Sequence, residues 1–204
     1  MARGSETRTK ILDVAQAAIL TKGFDATSID EIVAAAEITK SGFFYHFRDK
    51  NALAHALIER HIEIEDKLFD ALFDRARELG DDPLQTMLIG LKLLAELLDM
   101  PGGHPGCIVA TAAYQDRLFD RKVRDANARA VLGWRRRFRS MLEAIAQVYP
   151  MQDDVDLNHL ADMVSAVIEG GLIMSRALGE SSITSQQVLL MRSYLKILFS
   201  PGIQ

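Results

Sequence analysis

TSIDEIVAAAEITKSGFFYHFRDK, residues 27–50, is the stretch on which the reading of this chain turns. Thr27 and Ser28 are N-cap residues with Asp30 and Glu31 three positions on as capping-box partners, and Ile29, Ile32, Val33 and Ala36 follow at helical spacing. That helix is short, because Thr39 offers a second N-cap soon after Ala36. The helix opened by Thr39 turns Phe43 and Phe47 inward and leaves Lys40, Ser41, Gly42, Tyr45 and His46 outward. Two short helices joined by a tight turn make a helix-turn-helix. The second one presents small residues at its start and hydrogen-bonding aromatics one turn on, a shape that enters a DNA major groove.

Upstream, Ile11, Leu12, Ala15, Ala18 and Ile19 share one face of a helix from Ser5 to Phe24, with Gly23 where a left-handed residue ends a helix. Arg3, Arg8 and Lys10 at its start either reach a phosphate backbone or are simply solvated. Downstream, Leu53, Leu57, His61, Ile64, Leu68, Leu72 and Ala76 predict one long helix from Lys50 to Glu78 or Leu79, stopped by Gly80. Asp82 and Pro83 open a fifth helix, apolar on several sides through Leu84, Met87, Leu88, Leu91, Leu94, Ala95 and Leu98. MPGGHPG, residues 100–106, is a loop. A sixth helix is expected from Cys107 to Phe119. A seventh, from Asp120 to about Val148, turns Val123, Ala126, Ala130, Trp134, Phe138, Met141, Ile145 and Val148 inward. Its Arg135, Arg136, Arg137 and Arg139 read as a solvated face rather than a nucleic-acid patch.

Two last helices, over 155–178 and 185–199, carry more apolar residues than one buried stripe requires, and the second is opened by a capping box at Thr184 and Gln187. The surplus points to a partner surface. Leu160, Val164, Val167, Ile168, Gly171 and Met174 on one helix, with Val188, Met191, Leu195 and Leu198 on the other, are the expected dimer interface. Two such pairs make an intersubunit four-helix bundle, in which Gly170 and Gly171 allow close backbone approach. With no strand signal or repeat, the chain reads as all-α, about nine helices, with residues 1–48 as a DNA-binding head and 49–204 as a ligand-binding and dimerisation body.

Composition narrows the function classes. A chain of 204 residues that is 49% hydrophobic and 25% charged affords a sizeable core. It has no apolar run near the ~20 residues of a bilayer span and no signal-peptide pattern, so a cytoplasmic location without a membrane partner is expected. Cys107, the one cysteine, excludes a disulfide framework and a cysteine-rich zinc site. His55 and His61 stand six apart rather than on one face, and no metal or other cofactor is expected. The formal net charge is −4, and acids balance bases over residues 1–50, which argues against non-specific coating of nucleic acid. DNA binding must then rest on placed contacts and on two copies.

Cys107 invites two further readings. Paired with His104 it would be a nucleophile and base, but no orienting third group is recognisable, and the chain is not read as an enzyme. At a helix N-terminus after Pro105 and Gly106 it is either a thiol sensor or a small buried residue filling a helix junction.

TKSGFFYHFRDKNAL, residues 39–53, closely resembles the helix-turn-helix signature of the tetracycline-repressor (TetR) family, and GFDATSIDEIVAAAEI, residues 23–38, fits its upstream half. The resemblance covers about the first quarter of the chain. It implies a homodimeric transcription regulator, generally a repressor, whose partners are double-stranded operator DNA and a small effector that weakens DNA binding. Position by position it implies that Lys40, Ser41, Gly42, Tyr45 and His46 contact the operator, with Thr27 and Lys50 on phosphates and Ser28 in the same DNA-binding set. Glu37 stands where the family usually has glycine, implying a non-glycyl turn and an acid near DNA, and Phe44 stands where a tyrosine is common. By the same analogy a small, largely apolar effector lies among the fifth to eighth helices, near Met87, Leu91, Cys107, Thr111, Tyr114, Trp134, Phe138 and Glu169. The competing class is a helical small-molecule-binding or Cys107-based sensor without sequence-specific DNA binding.

Overall fold

Helix follows helix through residues 2–100 and 105–200, which this computed structural model describes, and no strand occurs among them. In order they are α1 (Ala2–Ala26), α2 (Ile29–Ala35), α3 (Lys40–His46), α4 (Lys50–Leu79), α5 (Pro83–Leu98), α6 (Ile108–Ala113), a 3-10 turn (Asp116–Leu118), α7 (Arg121–Ala146), α8 (Leu157–Leu178) and α9 (Ser182–Leu198). His104 and the side chain of Arg3 lie outside the described residues. No helix among the described residues is long and apolar enough to cross a membrane.

The starts of the helices follow from their caps. Ser28 accepts from the Glu31 N–H at 3.1 Å, Thr39 from Gly42 at 3.1 Å and Asp82 from Gln85 at 3.0 Å. Asp156 accepts from both Asn158 and His159. Each satisfies an N–H with no partner inside its helix, a contribution of about 1 kcal/mol. At Gly23 the backbone leaves helical geometry with φ 88°, so the regular part of α1 ends there as its sequence requires. The expected sixth helix is shorter than Cys107 to Phe119, because Cys107 is its cap and Tyr114 its end. α9 departs from expectation: it opens at Ser182, ahead of the predicted cap. Thr184 is buried in its first turn, with its hydroxyl 2.9 Å from that of Ser175.

The described chain forms two compact units. One comprises Met1–Ile64 and Cys107–Val131, with α1 packed on α2 and α6. Ile11, Ala15, Ile19, Ile32, Phe43 and Leu57 fill its core, and Phe24 meets Phe119 edge-on at 4.8 Å. The other comprises Glu65–Gly106 and Leu132–Gln204, with α9 packed on α5 and α8. Along α4 the predicted stripe holds at Leu72 and Ala76 but is corrected at Ile64 and Leu68, which are exposed, while Phe69 and Phe73 are buried. On α7 Leu142 is buried, and Val148, expected as an inward residue of that helix, lies beyond its end and is exposed. Three arginines of the α7 run are engaged by acids of their own chain: Arg135 bidentately by Asp162 at 2.7 and 2.8 Å, Arg137 by Asp66 and Asp70, and Arg139 by Glu143.

The expected dimer interface is mostly this unit's own core. Leu160, Val164, Gly171, Val188, Met191, Leu195 and Leu198 are buried within the single chain, and Val167 and Ile168 are half-buried against that core. Gly171 permits close approach to Thr184 of α9, whose Cα lies 2.9 Å from where a Cβ would stand, rather than to a second copy. The apolar surplus is real but, apart from Met174 of the expected set, sits on other faces. Ile173, Met174 and Leu178 on α8, with Leu189, Leu190, Tyr194 and Ile197 on α9, are exposed, and Gly170 faces open space.

Candidate nucleic-acid interface and effector cavity

α3 is held from both ends and beneath. The Thr39 cap fixes its start, and Phe43 and Phe47, both buried, fix its underside. With that face spent on packing, Tyr45 projects into solvent at 83% exposure, its ring edge-on to that of the half-buried His46 at 5.0 Å. Gly42 sits over the cap, where a Cβ would come within 3.2 Å of the Thr39 hydroxyl. Ser41 is exposed, with its hydroxyl 3.0 Å from the same Thr39 oxygen. Lys40 is exposed and paired with Asp30 at 2.8 Å.

Two expectations for this head are corrected. Thr27 is fully buried and its hydroxyl donates to the Gly23 carbonyl at 2.8 Å, so the side chain ties α1 to α2 instead of facing a phosphate. Ser28 beside it is exposed and acts as the α2 cap. Glu37 does not impose a non-glycyl turn. It takes the left-handed conformation itself, at φ 54°, where an L-residue is strained and glycine is not. Its charge is engaged too: Lys10 donates at 2.9 Å and holds the carboxyl below its ordinary range. Phe44 is exposed.

Lys50, at the start of α4, reaches the Asp25 carbonyl at 3.4 Å. Burial is the main cause of its lowered pKa, with Lys22 adding to it and Asp25 opposing. A contact with no sequence signal joins distant segments of this unit: the Gln115 side chain accepts from the Phe24 N–H at 2.8 Å and rests against Gly23. Nothing in the local pattern marks Gln115, because its partner is 91 positions away.

In the other unit, Glu65, Phe69, Trp134, Phe138, Ser165, Ile168 and Glu169 line a partly open cavity of about 30 Å³. Of the expected effector residues it brings together Trp134, Phe138 and Glu169, and it takes Ile168 from the expected dimer set. Met87 and Leu91 are fully buried core residues that do not line it. Cys107, Thr111 and Tyr114 belong to the first unit. There Cys107 is buried and caps α6, with its sulfur 3.7 Å from His61 Nε2; Thr111 donates to the Cys107 carbonyl, and Tyr114 is 78% exposed. The Trp134 indole donates to the Glu65 carboxyl. Burial, seconded by the charges of Glu169 and Asp66, pushes Glu65 up to about 7 against that hydrogen bond. Glu65 was legible in principle, since it is the residue between His61 and Phe69 on the buried stripe of α4.

Comparison with known proteins gives a concordant result. Residues 11–57 match the profile described as bacterial regulatory proteins, tetR family, and residues 83–183 that of the transcriptional regulator LmrA/YxaF-like C-terminal domain. Similar proteins include the transcriptional regulator AcuR of Cereibacter sphaeroides, 26% identical over 76% of this chain and 69% of that one. The HTH-type transcriptional regulator YxaF of Bacillus subtilis is 24% identical over 86% and 87%. A TetR-family regulator from Agrobacterium tumefaciens has the same fold, with a TM-score of 0.79 at 18% identity over 97% of this chain and all of that one. A TetR regulator from Chloroflexus aurantiacus superimposes with a TM-score of 0.78 at 23% identity, over 96% and 97% of the two chains.

Proposed function

Because the chain belongs to the TetR family of bacterial regulatory proteins, we propose that it acts as a homodimeric repressor released from its operator by a small effector bound in its helical body. It is a DNA-binding, ligand-responsive transcriptional regulator, and its relatives are regulators rather than enzymes. In this reading residues 1–48 read the operator and residues 49–204 hold the effector and the partner copy, in the cytoplasm.

The observation that carries the reading is the presentation of α3. A capped helix pinned by Phe43 and Phe47 aims Tyr45, Ser41 and Lys40 outward together, with Gly42 and His46 beside them. Tyrosine and histidine supply donors, acceptors and apolar edges for base pairs and thymine methyl groups, and the small residues let the backbone approach. Ser28 and Lys50 are the phosphate contacts. The exposed apolar residues of α8 and α9 supply the dimer surface, in place of the core residues first considered. Two recognition helices then fall about one DNA turn, or a multiple of it, apart. α4 is continuous from Lys50 to Leu79 and also carries the cavity residues Glu65 and Phe69. An effector that shifts α4 at the cavity thereby changes the separation of the two heads.

The test is a binding titration on DNA flanking the protein's own gene, repeated across salt concentrations. A sequence-specific complex, weakened at least tenfold by Tyr45→Ala and progressively by salt, supports the reading. Ile197→Glu, at a position 69% exposed, is expected to yield a folded monomer that loses the operator. Equal affinity for flanking and random DNA would sink it.

A further inference from the structure

Phe24 and Asp25 at the end of α1, Lys50 and Asn51 at the start of α4, and Leu118 and Phe119 between α6 and α7 line a partly open cavity of about 160 Å³ within the first unit. Its walls are fixed by bonds between these segments. Phe24 and Phe119, both buried, meet edge-on at 4.8 Å. The Asp120 N–H donates to Asn51 Oδ1 at 2.9 Å, and the Phe24 N–H donates to Gln115 at 2.8 Å. An apolar cavity of about 150 Å³ is large enough for a molecule the size of benzene. Here that space is shared with Lys50, the one cation among the lining residues.

Lys50 differs from the other lysines of the head. Lys10, Lys22 and Lys40 hold carboxylates at 2.9, 2.5 and 2.8 Å. The Lys50 ammonium has instead a long hydrogen bond to the Asp25 carbonyl, at 3.4 Å, and no ion pair among the described residues. Burial and the charge of Lys22 make its proton easier to lose, against the charge of Asp25. A lysine desolvated in an apolar pocket, or set beside another cation, is an activated amine, because the unprotonated form is the nucleophile.

Three features select the electrophile. The Asp25 carboxylate in the wall repels anions, so the incoming carbonyl compound is uncharged. Phe24, Leu118 and Phe119 favour an apolar body over a polar one. A regulator must also recover when its signal is gone, which excludes acylating agents, whose amides persist, and leaves aldehydes, whose imines hydrolyse. We propose that Lys50 is a reversible covalent site for small, uncharged aromatic aldehydes, and that its modification weakens operator binding within the head itself. The Nζ lone pair forms a bond to the carbonyl carbon, the C–O bond breaks, and the oxygen leaves as water with both protons of the amine; nothing is oxidised or reduced. A cation with three donors becomes an imine with at most one, carrying a ring, and its phosphate contact is lost. That consequence rests on the reading that Lys50 contacts a phosphate.

The full-length protein is treated at pH 8 with benzaldehyde and, separately, with formaldehyde. Cyanoborohydride is present in both, so that its hydride traps the imine as an amine, and peptide mass mapping locates the labelled lysines. Benzaldehyde is expected to label Lys50 at least about tenfold faster than the exposed Lys67 and Lys196. With formaldehyde, which draws nothing from the apolar walls, that preference is expected to be at least about threefold smaller. Leu118→Trp, at a position 38% exposed, fills the cavity and is expected to abolish the preference shown by benzaldehyde. No preference of benzaldehyde for Lys50, or the same preference with both aldehydes, overturns the proposal. Both comparisons are made on the unmodified protein, so misfolding of the variant rescues neither.

At the dose that labels Lys50 alone, operator affinity is expected to fall at least about fivefold, with a salt slope shallower by about one per head. With benzaldehyde but no cyanoborohydride, dialysis is expected to restore the affinity. Unchanged affinity after labelling, or a loss that dialysis does not reverse, overturns the proposal as well. Lys50→Met separates the failures. If it weakens operator binding and labelling does not, only the aldehyde inference fails; if neither does, the phosphate contact assigned to Lys50 fails with it. Absence of any operator binding by the untreated protein defeats the regulator reading, and the aldehyde site then stands or falls on the labelling pattern.

Discussion

Replacing Glu37 by glycine and by alanine separates backbone strain from charge at the turn between α2 and α3. Both substitutions remove the carboxylate and its pair with Lys10, and they differ only in whether a Cβ remains at φ 54°. A non-glycine residue in this conformation is strained by about 1–2 kcal/mol, partly offset by the greater freedom glycine has when unfolded. The lost ion pair is exposed on both sides and contributes little, between about 0 and 1 kcal/mol. Glu37→Gly should therefore equal or exceed the parent in stability, and it should exceed Glu37→Ala by about 1 kcal/mol. For a chain of this size that is a difference of about 2–4 °C in thermal midpoint, readable by circular dichroism, with urea titration as a second measure. Operator affinity should move differently. Both variants free Lys10 and delete an acid of the head, so they should tighten DNA binding by the same factor, within about twofold. Glycine and alanine variants of equal stability would refute the strain argument. A gain in affinity confined to the glycine variant would refute the electrostatic one.

Three more outcomes follow from packing and charge. Asp30→Asn releases Lys40 from its 2.8 Å partner and should tighten operator binding a few-fold, at a cost of up to about 1 kcal/mol in stability from a less favourable first turn of α2; unchanged affinity in a low-salt titration would show that Lys40 does not approach DNA. Gly90→Ala places a Cβ 2.2 Å from the buried Phe73 ring and should destabilise by about 1–3 kcal/mol or more, measured by denaturant midpoint, whereas an unchanged midpoint would mean that the ring moves freely. Glu65 holds its proton more tightly folded, at about 7, than in the unfolded chain, near 4.3, so between those values the folded state alone is protonated. This group's contribution to stability is therefore complete below the unfolded value, falls as pH rises through 7 and is level above. Without any discount for solvent screening the fall between pH 5.5 and 8 is on the order of 2 kcal/mol, an upper bound for a partly exposed group, and Glu65→Gln should remove it from the difference between urea midpoints at the two pH values.

The fold was legible wherever a local pattern carries the information. Capping residues placed the starts of α2, α3 and α5 because a side-chain oxygen and a free N–H a few positions apart suffice to define them. Phe43 and Phe47 were readable as the underside of α3 for a similar reason, since one face of a seven-residue helix offers few alternatives. Legibility failed where two apolar faces compete. On α8 and α9 nearly every face is apolar, so composition announced a surplus without saying which side the chain keeps for itself. Leu195 and Ile197 are equally plausible in sequence, and only the positions of α5 and α8 bury the first and expose the second. On α4 the stripe continues from His61 to Phe69 through Glu65, and a glutamate there conceals the register from any reading that keeps to apolar residues. The Glu65–Trp134–Glu169 cavity joins three helices, and only packing brings its carboxylates together. Glu37 was the opposite case. Its residue type argued against the left-handed turn, but the turn is imposed by the helices on either side and the side chain bears the strain.

A head whose cations already have partners binds DNA on different terms from a basic one. Lys10, Lys22 and Lys40 are held by Glu37, Glu31 and Asp30, so a phosphate contact by any of them exchanges one ion pair for another. The gain from released counterions is real, but it is reduced by the repulsion of the acid left behind. One head alone should then bind weakly to any sequence, and the bare count of lysines overstates the salt dependence. Contacts from Tyr45 and the small residues around it, which do not depend on net charge, become a larger share of what distinguishes an operator from other DNA. Joining two heads converts the second encounter into an intramolecular one, and its advantage exists only where the spacing of the helices matches that of the half-sites. Weak single heads thus make the complex more sensitive to spacing, because neither can hold the DNA when the other is displaced. A small movement of α4 is then enough to release both.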